Sequence, residues 1–229
     1  MKRTPWIVSA GLALGAGTAN AALILTEADI ATPTSVITFD DHPTQEITLG
    51  PVQVGTSVGR DVVFTATSTF DAAGFTAGLY GFGSNGVWND AMTSTWVNGG
   101  PIATMRFTFG DAPVSAVGAF MNYCINFGQA GCGTNGVSLS ALDSSFNVLE
   151  SYRLDLLAPI STPAATNAGE FRGISRGTAD IYAFEFSGGG MFDNLVFTNP
   201  PRTVPEPATI GLLAFGLLAM ALLRRKRLA

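Results

Sequence analysis

Apolar and polar residues alternate with a period of two through most of the middle of this chain. Between Val62 and Phe70, Phe64, Ala66 and Phe70 fall on one face and threonines on the other. Between Thr104 and Phe109, Met105, Phe107 and Phe109 alternate with Arg106 and Thr108. Val137, Leu139 and Ala141 alternate with serines, and Tyr182, Phe184 and Phe186 line up between Asp180 and Phe186. Successive side chains of a strand point to opposite faces, so such runs predict half-buried strands. The runs break at Gly50-Pro51, Ser84-Asn85-Gly86, Asn98-Gly99-Gly100, Asn135-Gly136 and Gly188-Gly189-Gly190, all turn-forming combinations. No amphipathic helix longer than a turn or two interrupts them. The pattern predicts an all-β domain over residues 22–197, with about eight to twelve antiparallel strands in a two-sheet sandwich of jelly-roll type.

The two ends follow other rules. Lys2 and Arg3 precede an apolar stretch from Trp6 to Ala16, and Ala19-Asn20-Ala21 has the small-x-small form of a cleavage site. This predicts a signal peptide over 1–21 and a mature chain starting at Ala22. At the other end, Ala208 to Leu223 holds no charge and Thr209 alone is polar. At 1.5 Å per residue it spans roughly 24 Å as a helix, slightly less than a ~30 Å hydrocarbon core. Pro207 suits a first helical position, where its missing N–H costs nothing. Arg224, Arg225, Lys226 and Arg227 then form a basic stop that stays cytoplasmic. A short transmembrane helix over 208–223 with a tail over 224–229 is the expectation. A linker over 198–207 precedes it, with Pro200, Pro201, Pro205 and Pro207 favouring an extended spacer.

Val204-Pro205-Glu206-Pro207, a short apolar helix and an arginine-rich terminus, in that order, resemble the PEP-CTERM sorting signal. The resemblance covers about 25 residues. It implies export through the inner membrane and recognition of the Pro-Glu-Pro motif by an exosortase-type membrane peptidase, which cuts nearby and releases or transfers the protein outward. A carboxylate such as Glu206 beside a membrane helix suits recognition better than packing. The ectodomain carries a weaker likeness. Phe171 to Phe197, with Asp193-Asn194 in its last apolar strand, and the opening Ile37-Thr38-Phe39-Asp40-Asp41 look like the last and first strands of carbohydrate-binding jelly-roll modules.

Charge narrows the partners. The whole chain carries a formal charge of −5, but residues 22–203 hold 16 acids against 6 arginines, a formal charge of −10. Nucleic acid repels such a surface, so that partner class is excluded. The acids suit solubility outside the cell or divalent cations. Asp41 follows Ile37 and Phe39 on one alternating face, and Asp193 shares a face with Met191, Leu195 and Phe197. A buried carboxylate needs partners. Each either accepts N–H bonds at a strand end or joins the other around a structural Ca²⁺ with backbone carbonyls, if the first and last strands are neighbours. No other cofactor is expected.

The stretch from Gly74 to Gly100 is the expected ligand surface. Tyr80, Trp88 and Trp96 offer flat faces to sugar rings and Asp90 a hydrogen-bonding group, or the same aromatics anchor a long loop to the core. Catalytic signatures are sparse. His42, the one histidine, sits beside Pro43 in a predicted surface turn, and no nucleophile elbow or zinc-binding helix motif is present. Asp90, Asp111, Glu170 and Glu185 are the carboxylates a glycosidase reading would use, and alternation turns Glu185 to solvent. The reading that follows is a non-enzymatic envelope or matrix protein that binds exopolysaccharide. The alternatives are a polysaccharide-active enzyme and a periplasmic domain that stays anchored.

Cys124 and Cys132 enclose seven residues, and an oxidising compartment favours a disulfide between them. In the chain-entropy model a loop this short adds roughly 2–3 kcal/mol. Alkylation of the exported protein without reductant should leave both cysteines unlabelled. Labelling at either one would contradict the pairing.

Overall fold

The computed structural model describes residues 21–43, 48–67, 73–76, 94–97, 104–123, 136–159 and 170–199, with the backbone alone at 73–76 and 94–97. The chain divides into two compact units, Met1–Thr198 and Asn199–Ala229. Apart from Asn199, the second unit lies outside the described residues, as do residues 1–20 of the expected signal peptide 1–21, Cys124, Cys132 and Phe70.

The described part of the first unit is all-β, with two antiparallel sheets. The first sheet contains β1 (Ala22–Ile24), β2 (Thr34–Ile37), β5 (Ala73–Thr76), β6 (Ser94–Val97), β8 (Ala116–Tyr123), β11 (Glu170–Ser175) and β13 (Gly190–Thr198). Its order is β1-β11-β8-β13-β6-β5, and β2 pairs with β13 along the edge that β6 shares. The second contains β3 (Val52–Gln53), β4 (Val62–Ala66), β7 (Thr104–Phe109), β9 (Ser138–Leu142), β10 (Val148–Arg153) and β12 (Ala183–Ser187), in the order β10-β9-β12-β7-β4-β3. Among the described residues helix is confined to one α-turn, α1 (Leu154–Leu157), and two 3-10 turns. Among the described residues no helix is long and apolar enough to cross a membrane.

Alternation places the core. Along β7, Met105, Phe107 and Phe109 are buried and their neighbours are not. They meet Phe64, Leu139, Ala141, Phe184 and Phe186 from their own sheet, and Val117, Ala119, Met121, Phe192, Leu195 and Phe197 from the other. Phe107 lies at the centre, with ring centroids 5.7 Å from Phe39, 5.7 Å from Phe64 and 6.0 Å from Phe192. The sheets therefore pack face to face on aromatic rings. β8 is buried almost throughout, and its sequence AVGAFMNY is correspondingly apolar on both faces. Its second face joins a smaller cluster of Ile24, Ile30, Ala116, Phe171 and Val196, so the N-terminal segment covers part of the outer face of the first sheet. Gly118 in β8 is required there, because a Cβ would come within 2.5 Å of the Phe171 ring.

The register gathers strand ends. Ala66, Thr104, Ser187, Ser138 and Arg153 come together in one sheet through the pairs Ala66↔Met105, Thr104↔Ser187, Ser187↔Ser138 and Ser138↔Arg153. Ala73, Val97, Gly190 and Tyr123 do the same in the other, with Glu170 level with Met121. Gly188, at φ +107°, carries the chain from β12 to β13 across this end. The domain begins and ends at the opposite end. Ala22 pairs with Ser175, which pairs with Ala116, and the Thr198 hydroxyl accepts the N–H groups of Ser115 and Ala116 at 3.0 and 3.2 Å.

Three local expectations are corrected. Ile181, which bridges to Val114, takes the core position expected of Tyr182, and β12 starts only at Ala183, three residues after Asp180. A bulge between Asp193 and Val196, with Asn194 at φ +50°, inserts one residue into β13. Phe192, Leu195 and Phe197 thus all reach the core, while Asp193 and Met191 fall on the other face. β2 ends at Ile37, and Phe39 adopts φ +61° ahead of a turn closed by the His42 N–H on the Phe39 carbonyl. Ile37 and Phe39 are both in the core, as the alternation predicts, but Asp41, within that turn, is exposed and needs no buried partner.

Removing the central ring leaves a cavity that both sheets border. Phe107→Ala should destabilise the domain by about 3–5 kcal/mol in urea unfolding. A loss under about 1 kcal/mol would show that the sheets do not depend on this contact.

Candidate functional site

The expected ligand residues divide by position. Tyr80, Trp88 and Asp90 lie outside the described residues. Trp96 is in β6, where the backbone register sets it opposite Met191, itself opposite Asn122 of β8. The sorting residues Val204, Pro205, Glu206 and Pro207 and the basic residues Arg224, Arg225, Lys226 and Arg227 also lie outside the described residues.

β2 does pair with β13, so the first and last strands of the expected module are neighbours, with Ile37 level with Leu195. The two acids differ in setting all the same. Asp193 is 1% exposed and its Oδ1 accepts the Asn194 N–H at 2.7 Å, which suits the bulge. Asp41 is 45% exposed and lies 3.7 Å from His42 Nε2. His42 is half-buried, a correction to the surface position expected for it. Among the described residues no three His, Cys, Asp or Glu side chains cluster closely enough to hold a metal ion.

The described carboxylates of the glycosidase reading are each joined to an arginine. Asp111 takes two bonds from Arg60, at 2.6 and 3.0 Å. Burial raises its carboxyl, but the bonds and charge of Arg60 outweigh this and hold it below the usual range. Glu185 takes Nε and Nη2 of Arg106 at 2.8 and 2.6 Å. Glu170, exposed, lies 3.5 Å from Arg172. Arg172 is buried and donates to Tyr123 Oη at 3.1 Å, and that hydroxyl donates to the Ala158 carbonyl. Burial pushes the Tyr123 phenol up to about 12, against the lowering effect of Arg172. Arg176 holds Asp180 with two bonds, at 2.6 and 2.9 Å, and Glu150 with one at 3.0 Å. These pairings join four arginines to five acids.

One group escaped the sequence reading. The β9–β10 connection, Asp143 to Asn147, is closed by the Phe146 N–H on the Asp143 carbonyl and the Asp143 N–H on the Asn147 carbonyl, both at 2.9 Å. The Asp143 carboxylate accepts the Ser145 and Asn147 N–H groups and the Asn147 amide. Those bonds, the Asn147 side chain first, hold it below the usual carboxylate range. Phe146 adopts φ +62°, a left-handed conformation where glycine is usual and an aromatic residue costs about 1–2 kcal/mol. The residue is 47% exposed, and its ring centroid lies 4.5 Å from the Arg106 guanidinium. Asp-Ser-Ser-Phe-Asn reads as a turn in sequence, but nothing in it reveals the distant Arg106 beneath the ring.

The described residues of the first unit form a sandwich of two antiparallel sheets packed on one core. Residues 203–227 match the model of the PEP-CTERM protein-sorting motif. The chain carries that motif, which marks an exported protein subject to exosortase-type processing at the membrane. No curated protein matches the chain. Among solved structures, a histidine mutant of the lectin binding domain of Lectinolysin, complexed with Lewis b, is similar at 13% identity over 68% of this chain and 100% of that one. Its TM-score of 0.28 is too slight a likeness to inform on strands or ligands.

Two predictions follow from the ionised groups. Asp180 has a folded-state pKa lowered chiefly by the bonds from Arg176, so its contribution is full above the unfolded value of 3.8 and is lost as pH falls through the lower folded value. Asp180→Asn should reduce the fall in melting temperature as the pH is lowered from 5 through and below the unfolded value of 3.8. An unchanged acid profile would remove Asp180 from the account. Tyr123→Phe should cost about 1–3 kcal/mol by leaving the Ala158 carbonyl and Arg172 without the hydroxyl. A neutral result in urea unfolding would contradict that.

Proposed function

We propose that this chain is a non-enzymatic cell-envelope or matrix protein whose β-sandwich binds exopolysaccharide after its C-terminal signal has been processed. The observation that carries the reading is the sorting motif at residues 203–227, which directs an acidic domain out of the cell. On this reading the N-terminal segment is a cleaved signal peptide, and residues 208–223 hold the chain in the inner membrane until the peptidase acts. β1 begins at Ala22, the residue expected to open the mature chain.

The domain is of jelly-roll type in this proposal. Eight strands support it: β2-β13-β8-β11 in one sheet and β7-β12-β9-β10 in the other, with first and last strands adjacent. β1, the β5–β6 hairpin, β3 and β4 then extend the edges. Ala22 and Thr198 lie at one end, so both flanking segments leave there. The connections between the gathered strand ends at the other end are rich in Gly, Ser, Thr and Asn in sequence, a composition suited to hydroxylated ligands. The arginine partners of Asp111, Glu170 and Glu185 favour binding over hydrolysis, which needs two carboxylates flanking one bond. The structural Ca²⁺ at Asp41 and Asp193 is not part of this proposal.

The test is affinity electrophoresis of the processed protein through gels containing exopolysaccharide purified from its own cells. Retardation without release of new reducing ends is expected. Trp88→Ala combined with Trp96→Ala should weaken binding about tenfold if the aromatics touch sugar. Unretarded migration would sink the binding reading, and new reducing ends would favour the enzyme.

A further inference from the structure

We infer that the outer face of the second sheet, centred on Phe146, is a binding surface for a neutral glycan chain. This rests on the exopolysaccharide reading and gives that reading a site.

The register lines up Thr65, Arg106, Glu185, Ser140 and Ser151 across five adjacent strands. Each is flanked in its strand by residues that face or pack against the core, such as Phe64, Phe107, Phe184, Leu139 and Tyr152, so the row faces outward. Ser140 and Ser151 are already joined by a hydroxyl bond at 3.0 Å. The charges in the row, Arg106 and Glu185, neutralise each other through two short bonds. The row therefore carries no net charge and presents the hydroxyls of Thr65 and Ser151, while Ser140 is largely covered and spends its hydroxyl on Ser151. Nucleic acid and anionic polymers find no cationic anchor there. A polyhydroxylated chain finds donors and acceptors at Thr65, the Arg106–Glu185 pair and Ser151, on strands spaced about 4.8 Å apart.

Phe146 supplies the other half of a sugar site. A pyranose ring has an apolar face that stacks on an aromatic ring. The Phe146 ring is half exposed and fixed from two sides, by the guanidinium of Arg106 and by the Asp143 turn. Packing alone does not account for its placement. A glycine or asparagine would occupy φ +62° with less strain, and the ring still leaves 47% of the residue in contact with solvent. Strain held rigidly at an exposed aromatic is the mark of a preorganised contact. Exposed Val148 opens the next strand and continues the apolar edge of this patch.

The experiment uses the processed protein and exopolysaccharide purified from its own cells, in affinity electrophoresis at low and high salt. Phe146→Asn tests the ring alone, because asparagine tolerates the left-handed backbone and melting temperature will show the fold intact. Phe146→Tyr keeps a stacking face. Leu157→Ala alters an exposed apolar residue away from the patch. The expected result is at least about a fivefold loss of affinity in Phe146→Asn, near-wild-type binding in the other two, and no dependence on salt. If wild type binds and Phe146→Asn binds equally, the site assignment falls and the exopolysaccharide reading stands. If wild type does not bind, both fall. If Phe146→Asn abolishes self-association in sedimentation while retaining polysaccharide, the face belongs to a second copy of the chain and the inference is overturned.

Discussion

Every other feature of the domain depends on the contact of phenylalanine rings between the two sheets. Phe107 touches Phe64 from its own sheet, Phe192 from the other and Phe39 just beyond the end of β2, and Phe184 and Phe186 both reach Phe192 as well. Burying such rings removes large apolar areas from water, and tilted or offset ring pairs add to that. Once the rings fix which faces point inward, the period of two decides the rest. The hydroxyl row and the Arg106–Glu185 pair must face out. The strand directions then put Ala22 and Thr198 at one end and five chain connections at the other.

The sequence made the inward faces of β4, β7 and β9 legible because their alternation is uninterrupted. It also made the breaks at Gly50-Pro51, Asn135-Gly136 and Gly188 legible, since Gly50, Gly136 and Gly188 all have positive φ. Alternation failed where the backbone inserts or drops a residue. The bulge at Asp193 moved that acid off the face shared by Leu195 and Phe197, and the late start of β12 exchanged Tyr182 for Ile181. Period counting cannot detect either, because both depend on pairing with distant strands. The same limit hid the Phe146–Arg106 contact, whose partners are 40 residues apart in number and joined only by the sheet order.

The C-terminal motif was legible for the opposite reason. Its Pro-Glu-Pro, apolar run and basic terminus are local, and a local signal needs no fold to be read. It accounts for the direction of travel. The acid–arginine pairs hold the half-buried carboxylates of Glu150, Asp180 and Glu185 in a domain that carries excess negative charge. Between them they leave the outward faces to define what the delivered domain touches.

The most direct measurement of the central claim is the intact mass of the protein recovered from its own cells, fraction by fraction. The account predicts a species that starts at Ala22, lacks the residues beyond the Pro205–Pro207 motif and is found outside the inner membrane. A species retaining Ala208 to Ala229 and held in the inner membrane would contradict it.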